Sequence, residues 1–323
     1  MPRTARIIRP ARRGLTALLT AALLAAALGL AGCAPAKTKQ PAAPAEASGS
    51  QTVYPLTLTD DASRTVTIKA EPRRVVSLAP ANTEIVFALG AGERLVGVTS
   101  FDDYPAEVAD IAKVGDFAGP NIEAVAAAEP DVVFATTGVQ ADVITQLEGL
   151  GATVIAVDPQ SLDGVYEDIT EIAAALNEVE AGEELVASMQ LTVDEIAAAV
   201  AQQEPATVFV EIAQGPLFTT GRGTLLHELV TLAGGSNVVD AEGWVPYSPE
   251  QVVKADPTVY LATKGSMSDP AELEKRPGFG SLSAVKKGRV AVLDDNLVSR
   301  PGPRVVDGLR QIAEALHPEA FGQ

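Results

Sequence analysis

Residues 121–136 return 127 positions later as residues 248–263. Seven of the sixteen aligned positions are identical without a gap: Glu123/Glu250, Val125/Val252, Ala128/Ala255, Pro130/Pro257, Val132/Val259, Ala135/Ala262 and Thr136/Thr263. A solenoid repeats every 20–50 residues or so, far more often than this. The long period points instead to one chain carrying two lobes of similar build. Two lobes make a cleft, and clefts are where small ligands bind. Each copy reads as a helix followed by a strand, with a glutamate at the start of the helix.

The chain opens with Arg3, Arg6, Arg9, Arg12 and Arg13 and no acid, then an apolar run over 15–30, then Leu30-Ala31-Gly32-Cys33. A basic start, a short apolar core and small residues before a cut describe an export signal. The run is shorter than the roughly 20 residues a membrane-spanning helix needs. Cys33 is the only cysteine, which excludes a disulfide within the chain. The Leu-Ala-Gly-Cys tetrapeptide resembles a bacterial lipobox, which implies cleavage before Cys33 and a lipid on its thiol. Residues 34–50, dominated by Ala, Pro and Ser, read as a tether. The division expected is a signal at 1–32, lipidated cysteine and tether at 33–50, an N-terminal lobe at 51–176, an interlobe helix at 177–204 and a C-terminal lobe at 205–323.

Charge agrees with this division. Loss of the leader, with its five arginines and no acid, moves the formal net charge from −18 to about −23. Such a charge favours solubility and argues against binding nucleic acid, which wants clustered Lys and Arg. The roughly 270 residues after the tether are long for one core and natural for two.

Residues 51–69 alternate around a polar turn and read as a hairpin. From residue 74 strands and helices alternate. Strands are expected at 75–78, 95–98, 132–135 and 154–157, and helices at 80–89, 122–128 and 141–150. Further helices are expected at 163–176 and 178–203, the second long enough to couple both lobes. The second lobe repeats the plan: a strand at 207–211, a helix at 225–233, the repeated helix and strand, a strand at 290–293 and a closing helix at 304–316. This alternation predicts an α/β fold with mainly parallel sheets, two Rossmann-like lobes with a ligand cleft between them.

Enzyme signatures are missing. There is no phosphate-binding Gly-x-x-x-x-Gly-Lys-Ser/Thr loop, Gly90-Ala-Gly92 lacks the third glycine of a dinucleotide fingerprint, and no Gly-x-Ser-x-Gly elbow occurs. His227 and His317 are the only histidines, too few and too scattered for an ordinary zinc site. No catalytic residue, cofactor or resident metal is therefore expected. The loops hold aromatics instead. Phe101, Tyr104, Phe117, Phe218, Trp244 and Tyr247 all fall in or beside predicted loops at strand ends, where ligands of open α/β sheets sit. Each would stack on a flat ligand or simply cap the core. Trp244, in a loop with Gly and Pro, is the strongest candidate for the pocket. Arg300, in the stiff Arg-Pro-Gly-Pro-Arg turn, is placed to reach an acidic or amide group of a ligand. Arg304 reads more readily as the partner of an acid at the start of the last helix. Glu123 and Glu250 would be favoured by helix dipoles alone; as a matched pair they would also suit arginines on a two-fold partner.

The segments Val75-Val-Ser-Leu-Ala-Pro-Ala-Asn-Thr-Glu84, Asp103-Tyr-Pro105, Asn121-Ile-Glu123, Glu129-Pro-Asp-Val-Val133 and Arg300-Pro-Gly-Pro-Arg304 resemble the substrate-binding proteins of ABC importers for cobalamin, ferric siderophores and haem. The likeness runs over about 74–316 and is nearest to the cobalamin-binding branch. It implies two α/β lobes joined by one long helix, small closure on binding, and delivery of a corrinoid or ferric chelate by a monomer to a dimeric permease with its ATPase. It places Glu123 and Glu250 as docking glutamates, and Tyr104, Phe218, Trp244, Asp295 and Arg300 on ligand-lining positions. Phe117 stands where that branch has tryptophan, and Thr136 and Asn296 also replace tryptophans, which leaves room for a ferric chelate. A ligand-sensing domain for a signalling partner, or an extracytoplasmic enzyme on the same scaffold, are the rival readings.

Overall fold

The computed structural model describes residues 51–322; the export signal, Cys33 and the tether lie outside the described residues. The described chain opens with an antiparallel hairpin, β1 (Leu56–Thr59) and β2 (Thr65–Ile68), paired from Leu56↔Ile68 to Thr59↔Thr65. The Asp60 carboxylate in its turn accepts from the Arg64 amide at 2.9 Å and from the Ala156 amide at 3.0 Å, which fastens the hairpin to the lobe behind it.

That lobe contains β3 (Val75–Ser77), α1 (Pro80–Ala88), β4 (Leu95–Gly97), α2 (Ile122–Ala127), β5 (Val132–Ala135), α3 (Ala141–Gly149) and β6 (Val154–Ala156). Its four strands are parallel, in the spatial order β4-β3-β5-β6. Two helices follow, α4 (Leu162–Leu176) and α5 (Val179–Val200). Ser161 caps α4 by accepting from the Gly164 amide, and Asn177 ends it in the left-handed conformation. At 1.5 Å per residue, α5 runs about 33 Å.

The second half contains β7 (Ala206–Glu211), β8 (Ala213–Gln214), β9 (Leu217–Thr220), α6 (Leu225–Leu232), β10 (Gly235–Asn237), β11 (Trp244–Pro246), α7 (Pro249–Ala255) and β12 (Val259–Thr263). It closes with α8 (Ala271–Glu274), α9 (Ser283–Lys286), β13 (Val290–Leu293), α10 (Asp295–Val298) and α11 (Val305–Leu316). Its parallel sheet has the order β10-β7-β12-β13. Numbered within each lobe, both sheets read 2-1-3-4, and the repeated segment is the third strand with its preceding helix in each. The internal repeat is thus a repeat of topology. It makes a switch point between the first and third strands of each sheet, where ligands bind in open α/β folds.

One departure from the sequence reading bears on the site. Phe218 and Trp244 are not in loops: β8, β9 and β11 form a small antiparallel sheet, with Trp244 opposite Thr220 and Pro246 opposite Phe218. Strands of two to four residues, with β9 and β11 paired across 24 to 28 positions of chain, leave no periodic trace in the sequence.

Apolar packing falls into three parts. Val76, Leu78, Val133 and Ala135 pack on Val125, Val143, Ile144 and Leu147 of α2 and α3. Phe209, Tyr260 and Ala262 form a matching cluster with Val252, Leu273, Phe279 and Leu282. The third cluster is common to both halves: Val75, Phe134 and Ile155 of one sheet and Val208, Val210 and Leu261 of the other join through residues of α4, α5, α6 and α11, among them Ile169, Met189, Ile196, Leu229 and Leu309.

Candidate functional site

A cleft of about 370 Å³ opens at the carboxyl ends of the strands, within the size range of small-molecule sites. From the first lobe come Ala79, Pro80, Ala81 and Asn82 after β3, Phe101 after β4, Phe117, Thr136 after β5, and residues 157–160 after β6. From the second half come Leu225, Trp244 and the stretch Ser299, Arg300 and Pro301. Phe101 and Trp244 are 58% and 44% exposed, so two large rings face solvent across the opening with no core to cover them.

Of the six residues expected to meet a ligand, the structure brings Phe117, Trp244 and Arg300 to the cleft wall. Tyr104, Phe218 and Asp295 are not among the residues lining it. Tyr104 lies under the Arg304 guanidinium, 3.9 Å from ring centre to guanidinium carbon. Phe218 is half-buried in β9. Asp295 accepts from the Gly265 amide at 2.8 Å and braces that loop. Tyr247 packs on Phe209 at 5.5 Å between ring centres and belongs to the core of its lobe.

The arginines of the Arg-Pro-Gly-Pro-Arg turn cross to the other lobe. Arg304 does not pair with an acid at the start of the last helix. Its Nε and Nη2 donate to Glu84 of α1 at 2.8 and 2.6 Å. Arg300 Nη1 donates to Glu84 at 3.1 Å and to Asp103 at 2.6 Å. Asp103 also accepts from Asn296 Nδ2 at 3.1 Å. Partial burial pushes the Asp103 carboxyl up, but the Arg300 hydrogen bond and charge outweigh it and hold the group below the usual carboxylate range. The Glu84 side chain is buried at 1% exposure, while that of Asp103 stands 56% open. Burying a carboxylate is tolerable only with partners of this quality.

One positioning residue escaped the sequence reading. Gln140, fully buried, accepts from the Thr136 amide at 2.9 Å and donates to the carbonyls of Leu78 and Phe117, both at 2.7 Å. A single side-chain amide thus ties together the loops after β3 and β5 and the one bearing Phe117. Nothing in the sequence marks it, since its partners come from three separate segments.

Glu123 and Glu250 are both exposed and both occupy the second position of their helices, α2 and α7. The caps match too: Asn121 accepts from the Ala124 amide and Ser248 from the Gln251 amide. Its own backbone amide and Ser248 hold Glu250 below the usual range. The histidines take part in no shared centre. His317 is buried with Nε2 3.2 Å from the Gly234 carbonyl, and His227 Nδ1 lies 3.2 Å from Asn237 Nδ2. Among the described residues no group of three or more His, Cys, Asp or Glu is placed to hold a metal ion.

Known proteins share this fold. Residues 75–297 match the family described as periplasmic binding protein. The chain is 39% identical over 311 residues to the ABC transporter substrate-binding lipoprotein YvrC of Bacillus subtilis, whose own function is uncharacterized; the match covers 93% of this chain and 97% of the relative. It is 32% identical over 247 residues to the vitamin B12-binding protein of Salmonella typhimurium, covering 75% of this chain and 90% of that one. Among solved structures, the periplasmic heme-binding protein RhuT from Roseiflexus sp. RS-1 superposes with a TM-score of 0.70 at 29% identity, over 77% of this chain and 99% of that one. A cleft at the switch point of the first lobe, closed by the second, and matches of this length lead to one conclusion: the chain belongs to the periplasmic binding protein family, whose members it matches as a substrate-binding protein of the ABC-transporter type and not an enzyme.

Proposed function

We propose that this protein captures a metal chelate outside the cytoplasmic membrane and hands it to a dimeric ABC permease with its ATPase, a corrinoid being the first choice of ligand. The observation that carries the reading is the cleft wall itself. Phe101, Phe117 and Trp244 contribute rings from both halves, while Asn82, Thr136, Gln160, Ser299 and Arg300 contribute polar groups. Rings with a few polar clamps suit a broad flat ligand rimmed by amides or acids.

The same wall orders the candidates. Protein-bound haem iron takes an axial His, Cys, Met or Tyr. None of these types is among the residues lining the cleft. The wall therefore suits a chelate whose metal is already saturated by its own donors, a corrinoid or a ferric siderophore, better than haem. The names of the relatives include a vitamin B12-binding protein and a heme-binding protein. Anchoring through lipid on Cys33 is supported by the leader and by the lipoprotein naming of the Bacillus relative. Glu123 and Glu250 would be the docking points for the permease.

The test is a titration of purified mature protein with cyanocobalamin, ferric siderophores and haem, followed by calorimetry and by the fluorescence of Trp244, the sole tryptophan. Saturable binding of cyanocobalamin, with haem weakest, is the expected result. Failure to bind any of the three classes would refute chelate capture.

A further inference from the structure

Three features meet at one end of the cleft. First, α1 begins there at Pro80, with Ala79 as its N-cap, no side chain accepting from its first-turn amides and no acid in its first turn. The leading amides of a helix have no acceptor within it, and the helix dipole makes that end positive. Second, Asn82 lines the cleft, is only 2% exposed, and its side-chain nitrogen has no hydrogen-bond partner. Buried polar groups are almost always paired, so an orphaned donor in a ligand cleft calls for an acceptor. Third, Arg300 is the only Lys or Arg on the cleft wall.

Arg300 is occupied by a counter-ion it can lose. Glu84 does not depend on it, since Arg304 already supplies that carboxylate with two hydrogen bonds. Asp103 is different. Its side chain is more than half open to water, so this carboxylate rehydrates readily when it leaves Arg300. The turn carrying Arg300 is also held against α1: a Cβ on Gly302 would lie 3.3 Å from the Ala81 carbonyl oxygen. Helix end and guanidinium are therefore one unit.

We propose that this end of the cleft is an anion-accepting subsite. The first amides of α1, the Asn82 side chain and Arg300 receive an acidic oxygen group of the chelate, a phosphodiester or a carboxylate, and Asp103 is a tethered competitor that gives up Arg300 when the ligand arrives. The inference rests on the proposed function only in seating the chelate in this cleft. It explains how a strongly acidic protein takes an acidic ligand: the ligand's oxygens replace Asp103 on Arg300, and Asp103 sets how strong an anion must be to enter.

The experiment is a titration of inorganic phosphate, against chloride at matched ionic strength, read by Trp244 fluorescence. Asp103→Asn should tighten phosphate by about fivefold, on the scale of one half-exposed ion pair. Asn82→Ala should weaken it by at least about tenfold, as expected for a hydrogen bond to a charged group. Arg300→Gln should abolish the response. Asp103 is exposed, so its variant tests the idea even if Asn82→Ala fails to fold. A second arm names the group: cyanocobalamin against dicyanocobinamide, which lacks the phosphodiester, and haem against its dimethyl ester, which lacks free carboxylates. Asp103→Asn should strengthen only the acidic member of the pair that binds. If no chelate binds but phosphate behaves as stated, the subsite stands and chelate capture falls. If a chelate binds while Asp103→Asn tightens neither phosphate nor that chelate, the subsite falls and capture stands.

Discussion

Glu84 shows how much of the site depends on groups that never touch a ligand. It is a buried carboxylate held by two arginines from more than 200 positions away, which set the far wall of the cleft. Glu84→Ala would leave the largely buried Arg304 guanidinium, at 21% side-chain exposure, without its anion and Arg300 with Asp103 alone. Removing one partner of such a pair costs about 3–5 kcal/mol, which for a chain of this size is roughly a 10 °C fall in melting temperature. A calorimetric midpoint within about 2 °C of the parent would mean that the cluster holds nothing. Trp244→Ala is a ligand-side change. A well-packed aromatic anchor contributes at least about 2 kcal/mol to binding, so chelate affinity should fall some thirtyfold with little change in melting. Unchanged affinity would remove Trp244 from the site. Phe117, Trp244 and Arg300 could be read from the sequence because scarce rings and a rigid arginine turn stand out locally. Asn82, Glu84, Asp103 and Gln140 could not, because each acquires its role only when distant segments meet.

At the scale of elements, hairpin and α4 share a liability. Asp168 of α4 is 4% exposed, and one of its carboxyl oxygens has no partner. Burial first, then the charges of Asp61, Glu171 and Asp158, push it up to about 9. Glu171 is pushed up to about 7 by burial and by Asp61 and Asp60. Both groups bind protons more tightly folded than unfolded. The folded state therefore holds more protons from about pH 4 upward, and stability from this source, complete below pH 4, is lost as pH rises through about 7 and then about 9. Asp168→Asn keeps the shape and removes the larger of the two proton linkages, leaving that of Glu171. Thermal melts at pH 6, 7, 8 and 9 should show the variant more stable by at least about 1.4 kcal/mol at pH 8, with a flatter pH profile. Parallel profiles for the two proteins would rule this account out. The alternation of strands and helices was legible because each element carries its own period and stop signals: Pro80 opens α1, and Gly151 follows α3. The small antiparallel sheet was not, since β8, β9 and β11 are too short to carry a period and β11 owes its register to a partner elsewhere in the chain.

At the scale of the molecule, two properties of the duplication act together. The sheets share an apolar cluster through α4, α5, α6 and α11. Halves joined by a large apolar contact do not swing freely, because opening them would expose that surface to water. Ligand capture should then change the radius of gyration in solution scattering by no more than the noise of the measurement; a contraction of several ångströms would contradict the shared core. A nearly rigid carrier has to be recognised by its fixed surface, and the repeat supplies that surface twice. Glu123 and Glu250 stand at the same position of equivalent helices, α2 and α7, each running back from the carboxyl edge of its sheet into the third strand. Their placement at helix starts already favours an acid, so exposure alone does not prove docking; the two roles separate by what reversal damages. If the dipole is the whole story, Glu123→Lys with Glu250→Lys will lower the melting temperature slightly and leave uptake by cells intact. If the glutamates meet equivalent basic sites on a two-fold permease, each single reversal should slow uptake to a similar degree. The double reversal should nearly abolish it, while chelate affinity of the purified protein stays at the parent value. Rim charges act mainly on association rate, so the defect should grow milder as the concentration of binding protein is raised. Normal uptake by the double variant at ordinary expression would end the docking hypothesis.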